Sequence, residues 1–120
     1  MTLLSNEAAS VFKRAASFSG SPDQILFTSG SPWNQIVPFD QSNAREFEMR
    51  SPLAYATSLK SPTRLYFGTK ELFFRQTTQA LAAAAKQAGL DVEYKEFPGD
   101  HFSAVPAEIE DSIAFFKAAK

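Results

Sequence analysis
The chain has 120 residues, 44% hydrophobic and 21% charged, enough for one modest core and too short for two, which argues for a single domain over residues 1–120 and against disorder. Lys plus Arg number 12 and Asp plus Glu 13, so a net charge of -1 supplies no basic field for a phosphate backbone, and nucleic acid is not an expected partner. With no cysteine there are no disulfides, no thiol nucleophile and no thiolate metal site.

The opening Met1-Thr2-Leu3-Leu4-Ser5-Asn6-Glu7 has no basic region followed by an apolar stretch, and no apolar run approaches membrane-spanning length. The expectation is a cytoplasmic protein with no membrane partner. From Ser5 to about Arg14, Ala8, Val11, Phe12 and Ala15 recur at helical spacing, and Ser5 or Asn6 can cap the first turn. Ala15-Ala16-Ser17-Phe18-Ser19 then reads as a short buried strand closed by Gly20, Pro22 and Asp23, with continuation of the helix as the alternative. Residues 24–52 carry Gly30, Pro32, Trp33, Pro38 and Pro52, which predicts mostly irregular chain with one short helix near Asn43 to Arg50.

Thr63-Arg64-Leu65-Tyr66-Phe67-Gly68 is a compact strand after Pro62, and Phe74 to Ala88 is an alanine-rich helix stopped by Gly89. Val92 to Phe97 alternates as a strand ended by Pro98-Gly99. A last helix runs from about Pro106 to Ala119, with Ile109, Ile113 and Phe116 as its apolar face, Glu108, Glu110 and Asp111 early, and Lys117 and Lys120 late. Twelve Phe against two Met mean that the core, or an exposed face that wants a partner, is built from rings. This order of elements predicts α/β architecture: a fragment of a three-layer sandwich, about three parallel strands with flanking helices and right-handed crossovers.

Reactive groups in open α/β sheets sit on loops beyond the carboxyl ends of the strands. The loop after Phe67 is Gly68-Thr69-Lys70-Glu71, and the loop after Phe97 is Pro98-Gly99-Asp100-His101-Phe102, which holds the chain's one histidine. A lone histidine in a turn is ordinarily a solvated surface residue, and a glutamate ahead of a helix is ordinarily a favourable charge at its N-terminus.

Four stretches alter that reading. Arg50-Ser51-Pro52-Leu53-Ala54-Tyr55 followed by Pro62-Thr63-Arg64-Leu65-Tyr66-Phe67-Gly68-Thr69-Lys70-Glu71 resembles "R-S-P-L-x-Y … P-T-L-L-x-x-G-x-x-D". Gly89-Leu90-Asp91-Val92-Glu93 resembles "A-G-V-D-V-E", and Phe97-Pro98-Gly99-Asp100-His101 resembles "F-P-G-x-x-H" with one residue fewer in the last gap. In that order they resemble the C-terminal part of α/β-hydrolases of the prolyl-oligopeptidase type, serine peptidases with dienelactone-hydrolase-like relatives, over most of residues 44–120.

The resemblance implies that His101 is the general base and Glu71 the acid that orients it, although the family usually has Asp where this chain has Glu. The extra methylene asks for a displaced loop, and Asp100 stands beside His101 as the competing partner. If the assignment holds, a carboxylate oxygen of Glu71 should lie about 2.6–3.2 Å from a ring nitrogen of His101.

The nucleophile elbow Gly-x-Ser-x-Gly is missing, since Gly20, Gly30, Gly68, Gly89 and Gly99 include no two that are four apart. Ser29-Gly30-Ser31 reads as a turn in the Pro-rich stretch, not as a substitute. One histidine and no cysteine offer no metal cluster, and no glycine loop cradles a phosphate, so no cofactor is expected. By the resemblance, Met1 falls just after the elbow.

The expectation is therefore the C-terminal half of a serine hydrolase, peptidase or esterase, inactive alone, whose partner is the missing N-terminal half or a second copy docked on an open sheet edge near Ala16. The alternative is a non-catalytic remnant of a hydrolase acting as a protein-interaction module.

Overall fold
The computed structural model describes residues 12–29 and 37–119. Its elements in order are β1 (Ala15–Phe18), α1 (Gln24–Ser29), α2 (Ala44–Met49), a 3₁₀ segment at Pro52–Ser58, β2 (Thr63–Gly68), α3 (Leu72–Gln87), β3 (Val92–Phe97) and α4 (Val105–Lys117). The strands form one sheet in the order β1-β2-β3, and both pairings are parallel. Ala15 stands opposite Thr63 and Phe18 opposite Tyr66, while Thr63 stands opposite Val92 and Gly68 opposite Phe97. The matched ends of β2 and β3 make both following loops leave from one rim.

Central position explains the composition of β2. A parallel strand covered on both faces reads as a continuous apolar run, and Leu65, Tyr66 and Phe67 are all buried. On one face α3 and the 3₁₀ segment pack against the sheet, closing a core of Ala56, Leu59, Leu65, Leu81, Ala82, Ala85 and Val92. On the other face α4 packs against β1 and β2. Its Asp111 accepts from Tyr66 Oη at 2.7 Å and from Lys95 Nζ at 2.8 Å, and the guanidinium groups of Arg14 and Arg64 lie 4.5 and 4.4 Å from the Phe115 ring centroid. Helices on both faces of a parallel sheet give the expected three-layer α/β fragment.

β2 and β3 have the bounds that the alternation predicted, and α3 begins two residues before the predicted Phe74 and ends at Gln87, with Gly89 at φ +78° beyond it. The helix predicted from Ser5 lies outside the described residues except at 12–14, which are non-helical chain leading into β1.

Two expectations need correction. The stretch 24–52 holds α1 as well as the predicted helix near residue 43, because Asp23 Oδ1 caps it by accepting from Leu26 N at 3.0 Å. Its exposed Ile25 and Leu26 make no periodic stripe. The second concerns α4, whose apolar face of Ile109, Ile113 and Phe116 does not turn toward the sheet. They are 44%, 46% and 42% exposed, and the buried positions are Glu108 and Ser112. Periodicity locates an apolar stripe but does not say which side the sheet occupies. Among the described residues no helix is long and apolar enough to cross a membrane.

Candidate active site
Glu71 comes from the loop after β2 and stands immediately before α3, yet its side chain makes no cap bond to that helix. It folds back over the end of the sheet instead, 8% exposed. Its Oε2 accepts from the Gly68 backbone N–H at 2.6 Å and from the Ser19 hydroxyl at 2.7 Å. Oε1 is left for His101, whose Nδ1 lies at 2.6 Å.

His101 comes from the loop after β3, and Asp100 shapes that loop rather than pairing with the imidazole. Asp100 Oδ1 accepts from Phe102 N at 3.0 Å, Ser103 N at 2.9 Å and Ser103 Oγ at 2.9 Å. These bonds, those to Ser103 foremost, hold the Asp100 carboxyl down at about 2. The two loops are tied to each other as Thr69 N donates to Phe97 O and Lys70 N to Gly99 O, both at 2.9 Å.

Two glycines permit this approach. A Cβ on Gly68 would lie 2.6 Å from Gly99 O, and one on Gly99, at φ +137°, would lie 2.5 Å from Ser103 Oγ. Phe102 meets the His101 ring edge-on at 5.2 Å between centroids, and Phe74 lies at 6.3 Å on a tilt.

The electrostatics follow from these contacts. Burial alone would raise the Glu71 carboxyl, but the Gly68 N–H, the Ser19 hydroxyl and His101 together outweigh it and hold the group below the usual range. An ionised carboxylate only accepts, so Nδ1 is assigned as the donor and Nε2 of neutral His101 becomes the basic nitrogen. The imidazole side chain is 54% exposed while that of Glu71 is 5% exposed, so the acid is sheltered and the base faces outward.

The structure thus brings together the two residues singled out in the sequence, thirty positions apart in the chain. Two neighbours escaped sequence reasoning. Ser19 directly follows β1 and takes a left-handed backbone conformation, φ +48°. Glu108 on α4 is fully buried, and among the described residues neither carboxylate oxygen has a hydrogen-bond partner. The sequence signal for Ser19 was the strand-ending Ser19-Gly20; for Glu108 there was none, because an acid in a first helical turn is ordinarily exposed. Of Ser29-Gly30-Ser31, Ser29 ends α1 and the other two lie outside the described residues.

No family model and no curated protein matches the chain. Solved structures do. Uncomplexed acylaminoacyl peptidase of Pyrococcus horikoshii aligns over 97% of this chain and 22% of its own, with a TM-score of 0.74 and 17% identity. An orthorhombic crystal form of the P. horikoshii peptidase covers 91% of this chain and 20% of its own, at TM-score 0.70 and 19% identity. An acylaminoacyl peptidase in complex with Z-Gly-Gly-Phe-chloromethyl ketone covers 97% and 22%, at TM-score 0.76 and 20% identity. The chain therefore spans about a fifth of the length of the structures it matches. At these identities the likeness is one of fold, that of the α/β-hydrolases which the sequence motifs resemble.

Proposed function
We propose that the chain is part of a serine hydrolase of prolyl-oligopeptidase type, with His101 as general base and Glu71 as the acid that orients it. The observation that carries this reading is the 2.6 Å contact between His101 Nδ1 and Glu71 Oε1, made at the carboxyl ends of two adjacent parallel strands. Surface histidines have no physical reason to meet a sheltered glutamate whose other oxygen already accepts two bonds.

In the proposed reaction a serine hydroxyl is brought to the outward face of the imidazole. A hydroxyl is a poor nucleophile until its proton leaves, and Nε2 takes that proton as the oxygen attacks an acyl carbon. Glu71 fixes the tautomer through Nδ1–H and stabilises the imidazolium that forms. The proton then passes from Nε2 to the leaving group. The serine and the donors for the developing oxyanion come from outside the 120 residues, since no nucleophile elbow is present in them.

β1 offers the place where they dock. It forms one edge of the sheet, with no strand on its far side among the described residues. Parallel strands are ordinarily paired and covered, so this edge suits the nucleophile-bearing half or a second copy. A fluorophosphonate probe tests the reading. The isolated chain should not label, and a polypeptide encoded in frame upstream of Met1 should label at its serine only when mixed with this chain. Labelling that is equal with and without the chain, or with the His101→Ala chain, would refute it.

The exposed stripe Ile109, Ile113 and Phe116 favours a second reading, a non-catalytic module that binds protein through α4. Under that reading His101→Ala would leave every association unchanged.

A further inference from the structure
We propose that Ser19 is a positioning residue for the Glu71–His101 pair, its hydroxyl pinning Oε2 of Glu71 so that Oε1 is presented to the imidazole; the role rests on the reading of that pair given above. Glu71 Oε2 receives two donors from different strands, Gly68 N at the end of β2 and Ser19 Oγ at the end of β1. Together with His101 after β3, loops from all three strands converge on one carboxylate.

The backbone is shaped for this contact. Ser19 is the one non-glycine residue at positive φ among the described residues, at +48°. Left-handed conformation costs any residue with a Cβ, and such strain gathers where a side chain has to be aimed. Gly20 stands next in sequence, so the chain places the left-handed turn on a serine although a glycine is one position away. The turn is held in place because Ser19 N donates to Tyr66 O at 2.8 Å and the preceding Phe18 stacks on Tyr66 at 5.2 Å.

The hydroxyl also answers the glutamate at position 71. Compared with the aspartate usual in the resembled family, Glu carries one more rotatable bond, and a carboxylate held by Gly68 N–H alone could turn about it. A second donor from β1 removes that freedom. Other ionisable groups at hand are His101 itself and Glu108 of α4, whose charges act on one another and on Glu71. Neither donates to Oε2.

Because His101 is the only histidine, its ring signals in an NMR spectrum of the whole chain are unambiguous. In the unaltered chain the Nδ1–H proton should be hydrogen-bonded and slow to exchange. Both Ser19→Ala, which keeps the strain, and Ser19→Gly, which relieves it, should speed that exchange about tenfold, the worth of one net hydrogen bond, and populate the Nε2–H tautomer. Unchanged exchange in both variants would overturn the proposal. So would loss in Ser19→Ala with retention in Ser19→Gly, which would assign the effect to backbone strain. If Ser19→Ala does not fold, Ser19→Gly decides alone, and its failure to fold would also count against the proposal. Normal exchange effects beside failed labelling in the mixing experiment would refute the hydrolase reading and leave the role of Ser19 in orienting the pair intact.

Discussion
Replacing Glu108 should stabilise this protein, and the gain should depend on pH. Glu108 is 0% exposed on the sheet-facing side of α4, and neither carboxylate oxygen has a hydrogen-bond partner among the described residues. Burial foremost, then the charge of Glu71, raises its carboxyl above the usual value, with His101 acting in the opposite sense. A folded-state value above the unfolded one means that the native state holds the proton more tightly. Stability from this group is therefore fully present below the unfolded value near 4.5 and is lost as pH rises through the raised folded value.

An unpartnered buried polar group costs about 1–3 kcal/mol, and a charged one more. Glu108→Gln should accordingly be about 1–3 kcal/mol more stable than the parent at pH 8, a rise in Tm of roughly 3–6 °C per kcal/mol at this chain length, and near parity at pH 4. Glu108→Met, which removes the polar atoms altogether, should be the more stable form at both pH values. Urea melts of the three proteins between pH 4 and pH 8 measure this directly. A Glu108→Gln gain of equal size at both ends, or no gain at either, would refute the argument from an ionising buried carboxyl.

Glu71 should behave in the opposite sense. Its carboxyl is held below the usual value, so its contribution is present above the unfolded value near 4.5 and disappears as pH falls through the lowered folded one. Glu71→Gln should lose about 1–3 kcal/mol at pH 7 by urea melt, with the difference shrinking in acid. Gly99→Ala should destabilise by about 1–3 kcal/mol, since its φ is +137° and the new Cβ would sit 2.5 Å from Ser103 Oγ, and it should shift the His101 ring resonances more than any others. Wild-type stability with unmoved His101 signals would show that the two loops do not need their close approach.

Much of this arrangement was legible in the residues themselves. β2 and β3 were readable to the residue because Pro62, Pro98 and Gly99 punctuate runs whose side chains are fixed by sheet packing. The meeting of Glu71 and His101 followed from placing both after adjacent parallel strands, which is a property of topology more than of either residue. What could not be read depends on orientation. The stripe on α4 was visible as a pattern, but whether Ile109 or Glu108 faces the sheet is set by how Asp111 bonds Tyr66 and Lys95 across the interface. α1 starts on a cap at Asp23 and on a bond from Gln24 N to the Ser51 hydroxyl at 3.0 Å, contacts that an irregular, Pro-rich context conceals. Ser19 was hidden for a further reason: its turn carries the positive φ one residue before the glycine at which sequence reasoning looks for it.

The matched register of β2 and β3 makes the lone imidazole a vernier on the folding of the sheet. A slip of one residue along a strand displaces its end by about 3.3 Å, more than the 2.6 Å that separates His101 Nδ1 from Glu71 Oε1. Misaligned pairings would thus be collapsed and helical yet carry a free histidine. Parallel pairing across a helical crossover is also the slow, non-local step in assembling such a unit. A time-resolved signal from His101 would therefore report correct strand alignment separately from helix formation, and so divide collapse from commitment in a single refolding experiment.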